Sequence, residues 1–152
     1  MKGFLKSLIE FILVNLQFLI IILHFIKWEI IPQKEIMQVK AIFVFVGFSI
    51  IIISSIIMLM AIKELGINLS PLPRPKANSN LVISGIYRYM RHPMYYSLLF
   101  ISFGFFITKL SFYHLSLTIS LLFIIKLKII LEEKYLIKKF KNYSLYIEKV
   151  KY

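Results

Sequence analysis

The sequence predicts an all-α, polytopic membrane protein with about four transmembrane helices. Of its 152 residues, 59% are hydrophobic, above the roughly 45–50% of an ordinary soluble domain, and the mean hydropathy is +0.81. Several apolar runs approach or reach the ~20 residues that cross a bilayer core. The formal net charge is +12. Together with the apolar runs, this basic excess favours an anionic membrane surface over nucleic acid as the partner.

The N-terminal part, residues 1–62, is predicted to contain two transmembrane helices. Residues 11–26 form the first apolar run, which is too long for a signal peptide and lacks a small-residue cleavage site, so a retained span is expected. Residues 27–40 form a short charged connection. Residues 41–62 form a second span without a charge, in which Gly47 and several serines provide a small-residue face suited to helix packing.

The remainder, residues 63–152, is predicted to be the catalytic core. It opens with a polar segment, residues 63–91, whose three alternating prolines disfavour helix and favour extended structure. Two apolar runs follow, residues 93–108 and 110–125, and they predict a tight helical hairpin. Apolar residues then recur at three- and four-residue steps over 131–150, which predicts a basic amphipathic helix on the membrane surface.

The distribution of charge predicts the orientation in the membrane. Positive residues gather at the N-terminus, in the long polar segment and at the C-terminus. By the positive-inside rule, these regions and an active site among them are expected to face the cytoplasm. The chain has no cysteine, which excludes disulfides, thiolate metal sites and cysteine nucleophiles. It also lacks the glycine-rich and zinc-binding motifs of soluble nucleotide and metal enzymes.

One polar stretch, residues 84–96, stands out from its apolar surroundings. It holds two of the three arginines and four of the nine tyrosines of the chain. Pro93 suits the first turn of a helix, and the free backbone N–H groups after it, with His92 and Arg91 beside them, would suit an anionic or polar cofactor group. The alternative is an aromatic and basic belt at the membrane boundary. His24 and His114 have no companions in sequence and are expected to be structural.

A second candidate cluster is formed by Glu132 and Glu133, where the last apolar run ends. Adjacent acids in this position face like-charge repulsion and partial desolvation. If a new surface helix started here, its N-terminus would favour them. If the last span runs straight through, a polar ligand explains them better. Lys128 lies four residues before Glu132 on the same helix face, as an ion-pair partner or as part of a ligand clamp.

The two clusters together resemble a known family. The pattern Gly85-x-Tyr87-x-x-x-Arg91-His92-Pro93-x-Tyr95 is followed by an apolar hairpin and then by Glu132-Glu133 with spaced aromatic residues. This is similar to the isoprenylcysteine carboxyl methyltransferases and the related phospholipid methyltransferases, and the similarity covers about residues 65–150. It implies a helical membrane enzyme that uses S-adenosylmethionine and methylates a lipophilic or lipidated acceptor.

The resemblance also implies roles for individual residues. The implied cofactor-binding residues are Gly85, Tyr87, His92, Pro93, Met94, Tyr95, Phe100 and Glu132, with residues 105–108 nearby. The tyrosines and Phe100 would attract a sulfonium through their ring faces. Lys128 and Glu133 occupy the implied catalytic positions. Lys128 falls where the eukaryotic isoprenylcysteine enzymes have an arginine for the substrate carboxylate, but lysine lacks the two-pronged grip, so the acceptor stays open.

Two alternative functions remain. Reductases of the steroid 5α-reductase type share a similar hairpin and Arg-His-Pro-x-Tyr pattern, but they commonly continue with Gly-Glu where this chain has Tyr96-Ser97. Binding of NADPH would identify that class. A non-enzymatic membrane scaffold or transporter subunit would bind no cofactor and would tolerate changes at His92 and Glu132.

Overall fold

The computed structural model describes residues 2–26 and 37–151, and within them the chain is helical without any strand. Two short 3-10 turns, Gly66–Asn68 and Gly85–Arg88, lie in the long segment between the second and third helices. The α-helices are α1 (Lys2–Leu23), α2 (Met37–Leu65), α3 (Pro93–Lys109), α4 (Phe112–Lys139) and α5 (Tyr143–Lys149). The predicted all-α class is confirmed. Most of the predicted charged connection, residues 27–40, lies outside the described residues.

Three of the described helices are long and apolar enough to cross a membrane. The candidate spans are Phe4–Leu23 in α1, Lys40–Asn68 in α2 with the 3-10 turn that follows it, and Phe112–Lys139, which is α4. The 17-residue helix α3 reaches only ~26 Å at 1.5 Å per residue, short of the ~30 Å hydrocarbon core. The protein is therefore a helical membrane protein with three full-length candidate spans. The fourth predicted span is a shorter helix packed among them.

Helices α2 and α3 approach closely at two glycines. A Cβ atom on Gly47 would overlap the Thr108 side chain, and one on Gly104 would lie 2.9 Å from the Gly47 carbonyl oxygen. The helices can cross at this distance only because neither position has a side chain. The small-residue packing face predicted at Gly47 is therefore present, and its partner is α3.

Helices α1 and α4 run antiparallel around an apolar core. The core contains Ile20, Leu117, Leu121 and Ile125. The end of α1 meets the start of α4, where the Tyr113 hydroxyl donates a hydrogen bond to the Leu23 carbonyl over 3.0 Å. The start of α1, the long polar segment and α5 therefore share one end of the bundle, called the loop end below. Its orientation toward the cytoplasm stays a prediction.

The two histidines predicted to be without companions form one buried network. His24 Nε2 lies 2.7 Å from Ser102 Oγ, which lies 2.9 Å from Thr118 Oγ1. His114 Nε2 lies 3.4 Å from the His24 carbonyl oxygen. The network joins α1, α3 and α4 inside the apolar bundle, where polar side chains stabilise helix association. The two histidines have no companions nearby in sequence but find polar partners in space, and these contacts agree with the predicted structural role.

The predicted amphipathic segment, residues 131–150, is divided between two helices. Helix α4 continues without interruption to Lys139, because residues 112–139 contain no proline or glycine. Only α5 is a separate helix, and it is not a free surface element. Its Tyr143 and Tyr146 are buried, together with Val150. The aromatic face of α5 therefore packs against the protein at the loop end.

Candidate functional site

The 3-10 turn Gly85–Arg88 is fixed to the end of α2. Gly85 has φ +54°, which favours glycine, and a Cβ atom there would overlap the Glu64 side chain. Ser84 Oγ donates a hydrogen bond to Glu64 Oε2 over 3.0 Å. These contacts leave Tyr87 pointing inward and buried. Burial raises the pKa of the Tyr87 phenol well above its usual value, so this hydroxyl is neutral and can donate a hydrogen bond.

The start of α3 carries a charged cluster. Pro93 occupies the first turn, as predicted, and His92 precedes it. Glu133 Oε1 lies 3.0 Å from His92 Nε2 and 3.0 Å from an Arg91 nitrogen. The His92 ring is buried and stacks on Tyr95 at 5.8 Å between centroids. Glu133 therefore joins the arginine–histidine motif to α4, across 41 residues of sequence.

Glu132 lies inside a continuous helix, seven residues before its end. Since α4 runs from Phe112 to Lys139, no helix starts at Glu132, and the free N-terminus that would have favoured the paired acids does not exist. The Glu132 carboxyl instead lies close to the Tyr95 hydroxyl, the His92 ring and the Lys128 ammonium. It also lines a cavity. The position of this carboxyl therefore favours a ligand-related role.

The cavity lies at the loop end between the polar segment, α4 and α5. One side is formed by residues 65–82, and the opposite side by Tyr87, Arg91, Glu132 and the aromatic residues around Tyr143. Two polar atoms on its lining residues, Arg91 Nε and the Tyr143 hydroxyl, are buried without a hydrogen-bond partner in the described part of the chain. Unpaired buried polar atoms are costly and call for an explanation.

Helix α5 and the C-terminal residues close one side of this cavity. The Tyr146 hydroxyl donates a 2.5 Å hydrogen bond to the Tyr87 carbonyl oxygen. Arg91 donates through a second nitrogen to the Lys151 carbonyl oxygen over 3.2 Å. Burial raises the pKa of Tyr146 to about 12, so its hydroxyl remains a donor under ordinary conditions. The C-terminal segment is thus hydrogen-bonded to two residues of the 84–96 stretch, Tyr87 and Arg91.

Two of the predicted cofactor residues, Tyr87 and Glu132, line the cavity. His92 and the first three residues of α3, Pro93, Met94 and Tyr95, do not line it but directly follow Arg91, which does. Gly85 shapes the turn before Tyr87. Phe100, however, is 55% exposed and does not line the cavity. Residues 105–108 lie farther along α3, where Phe105 stacks on His24 and Thr108 contacts α2.

Lys128 has taken partners inside the protein. Its side chain is 1% exposed, and its ammonium donates to Gln17 Oε1 over 2.5 Å and to the Pro71 carbonyl oxygen over 3.2 Å. It also lies 5.1 Å from the centre of the Tyr95 ring. Lys128 does not line the cavity. These contacts tie α1, α4 and the polar segment together.

Four functional candidates were missed from sequence. Glu10 and Gln17 lie on α1, Arg74 on the proline-containing segment and Tyr135 on α4, and their side chains meet each other or Lys128. An available signal was the acid at position 10 within an apolar run, since ionisable residues in membrane helices usually have partners or functions. Nothing in the local pattern indicates which partners these are.

Comparison with known protein families shows the family to which the chain belongs. A family model described as phospholipid methyltransferase matches residues 42–143, about two thirds of the chain. The protein belongs to the phospholipid methyltransferase family. No curated protein and no solved structure shows a significant match. The family assignment confirms the resemblance inferred from the two motifs and makes this protein a membrane methyltransferase. The matched residues include the 84–96 stretch and the Glu132–Glu133 pair, but not α1.

Proposed function

We propose that this phospholipid methyltransferase-family protein transfers the methyl group of S-adenosylmethionine to a lipophilic acceptor at the loop-end cavity. The observation that carries the proposal is the meeting of two distant motifs at one cavity. Arg91 and Glu132 both line it, although they are 41 positions apart in sequence. The continuous α4 removes the alternative explanation for Glu132 as a residue at the start of a helix.

The donor set of the cavity suits the chemistry of this cofactor. S-adenosylmethionine carries positive groups, a carboxylate, a ribose and a flat base. Glu132 offers a carboxylate for a cationic or hydroxyl group, and Arg91 offers a guanidinium nitrogen that has no partner among the described residues for an anionic group. The Tyr143 hydroxyl is a second donor without a partner in the described part of the chain. Leucine, proline and phenylalanine side chains line the rest of the cavity and suit an apolar ring.

The residues of the chain contribute binding, orientation and exclusion of water. When bound, S-adenosylmethionine supplies an electrophilic methyl group on a sulfonium, and the acceptor supplies the nucleophile. Positioning of two reactants can account for much of the rate of such a displacement. Tyr87 offers a ring face that attracts a cation. Glu133 holds His92 by accepting the hydrogen bond of its Nε2, and thereby fixes the adjoining turn.

Lys128 and Glu133 occupy the catalytic positions implied by the resemblance, but their contacts within the protein suggest positioning roles. The Lys128 ammonium already donates to Gln17 and Pro71, so a substrate carboxylate would have to compete with both. Glu133 is shared by Arg91 and His92. We therefore propose that Lys128 and Glu133 hold the walls of the site in place, while the acceptor is bound by other groups.

Calorimetry on the purified protein in detergent tests the cofactor. Titrations with S-adenosylmethionine and its demethylated product, S-adenosylhomocysteine, are expected to show saturable binding, and a parallel titration with NADPH none. Binding of NADPH alone would instead support a reductase, and no binding of any of the three would support a scaffold. Transfer of a labelled methyl group to total lipid and protein extracts would then show whether the acceptor is a phospholipid amine, an isoprenoid acid or a prenylated protein.

The loop end is proposed to face the cytoplasm, because the basic segments 63–91 and 126–151 both lie there. The chain has no cysteine, so a single introduced thiol reports its own side of the membrane. Ala77 is exposed in the polar segment. Ala77→Cys is expected to react with an impermeant maleimide in inside-out vesicles only. Reaction in right-side-out vesicles would reverse the proposed orientation.

A further inference from the structure

Two groups of polar contacts, each called a rung below, connect α1 with α4. Glu10 and Gln17 are seven residues apart on α1, and Lys128 and Tyr135 are seven residues apart on α4. Seven residues correspond to about two helical turns, so each pair lies on one face of its helix. Because the helices are antiparallel, Glu10 meets Tyr135 and Gln17 meets Lys128.

The first rung is centred on Glu10, which is 2% exposed. The Tyr135 hydroxyl donates a short hydrogen bond to its carboxyl oxygen Oε1. An Arg74 guanidinium nitrogen lies 3.3 Å from the same oxygen, and the guanidinium carbon lies 5.6 Å from the centre of the Tyr135 ring. A buried carboxylate is tolerated when it is paired and hydrogen-bonded, and both conditions are met here.

The second rung is centred on Lys128, which is equally inaccessible. Its ammonium donates to Gln17 Oε1 and to the Pro71 carbonyl oxygen. Each rung therefore consists of one α1 side chain, one α4 side chain and one group from the proline-containing segment. Both rungs end on the same short segment, at Arg74 in one case and at Pro71 in the other.

That segment, residues 70–75, forms one wall of the cavity. Five of its six residues line the cavity: Ser70, Leu72, Pro73, Arg74 and Pro75. Three of its residues are prolines and have no backbone N–H, so the segment cannot hold itself in place by a helix or a sheet ladder. Its position therefore depends on contacts made by side chains of other elements.

We propose that Glu10 and Gln17 of α1 are positioning residues that hold the 70–75 wall of the cavity, Glu10 through Arg74 and Gln17 through Lys128. Helix α1 lies outside the residues matched by the family model, so this contribution is a property of this chain beyond the matched region. The proposed positioning of the 70–75 wall does not depend on which ligand the cavity binds. Its effect on cofactor affinity rests on the function proposed above.

Thiol labelling tests the positioning without any cofactor. Ser70→Cys introduces the only thiol of the chain, nearly isosteric with the serine, in the wall itself. We expect Glu10→Gln in this background to speed its reaction with a water-soluble maleimide several-fold, because Arg74 loses its charged partner. An equal rate with and without Glu10→Gln would overturn the proposal.

Two matched controls test whether the faster labelling is specific to the contact of Glu10 with the 70–75 wall. Asn15 also lies on α1, but its side chain donates to the Phe11 carbonyl oxygen of its own helix, so Asn15→Ala should leave the Ser70→Cys rate unchanged. Ser79 is held instead by the Lys139 ammonium, 2.8 Å away. Glu10→Gln should therefore leave the rate of Ser79→Cys unchanged. Equal acceleration at both thiols would indicate general loosening and would also contradict the proposal.

Affinity for S-adenosylhomocysteine provides the second test. Glu10→Gln is expected to raise its Kd about tenfold, the size of one lost charged hydrogen bond, and to raise the cofactor KM far more than it lowers kcat. Arg74→Gln, at a half-exposed position that spares the fold, should act similarly. The double variant should be no weaker than either single variant, and additive losses would refute the coupling. If the unaltered protein binds no cofactor, the proposed function fails, and the labelling rates alone decide the positioning.

Discussion

Replacement of Glu132 by glutamine separates the charge of this side chain from its shape. Glutamine keeps the length of the side chain and one carbonyl acceptor, so Tyr95 retains a neighbour with which it can interact. The negative charge is lost, together with its attraction to a cationic or hydroxyl group in the cavity. Because Glu132 lies inside the continuous α4, no helix end is disturbed.

The magnitude follows from the kind of contact. A hydrogen bond to a charged group contributes about 1.5–3 kcal/mol, and each ~1.4 kcal/mol changes an equilibrium constant tenfold. Glu132 is partly exposed at the cavity rather than sealed in the core, so the lower half of this range applies. We expect Glu132→Gln to raise the Kd of S-adenosylmethionine about 10- to 30-fold.

Calorimetry in detergent measures this change, with thermal unfolding as the check on folding. Glu148→Gln is the matched control, since Glu148 is an exposed glutamate on α5 outside the cavity lining. It should bind the cofactor as the unaltered protein does. A Kd within twofold of the unaltered protein in a well-folded Glu132→Gln variant would refute the assignment of Glu132 to the cofactor.

Three further variants test the framework of the site. Gly85→Ala should lower the unfolding temperature, because a left-handed conformation costs about 1–2 kcal/mol and the new Cβ atom meets Glu64; unchanged unfolding would contradict the packed turn. Gly47→Leu should unfold earlier still, since α2 could no longer approach Gly104, and a stability equal to that of the unaltered protein would refute this crossing. Lys128→Met should weaken binding of S-adenosylhomocysteine by freeing the proline-containing wall. A loss of turnover with unchanged affinity would restore a direct role for the ammonium.

Local patterns in the sequence determined the helices and the location of the motifs. Apolar runs must hydrogen-bond their backbone internally in a membrane, so they predict helices whatever they contact. Pro93 marks a helix start for a similarly local reason, because its fixed φ and missing N–H fit the first turn. The arginine–histidine motif and the paired glutamates could be recognised together because each is contiguous in sequence.

The partners of the buried polar side chains were decided only by the tertiary structure. Glu10 and Arg74 are 64 positions apart, and His24 and Ser102 are 78 apart, so no periodicity links them. Helix packing also turned Phe100 away from the cavity, although it follows the motif closely in sequence. The position of an apolar run on the chain shows that a helix forms, whereas the face it buries depends on which other helices surround it.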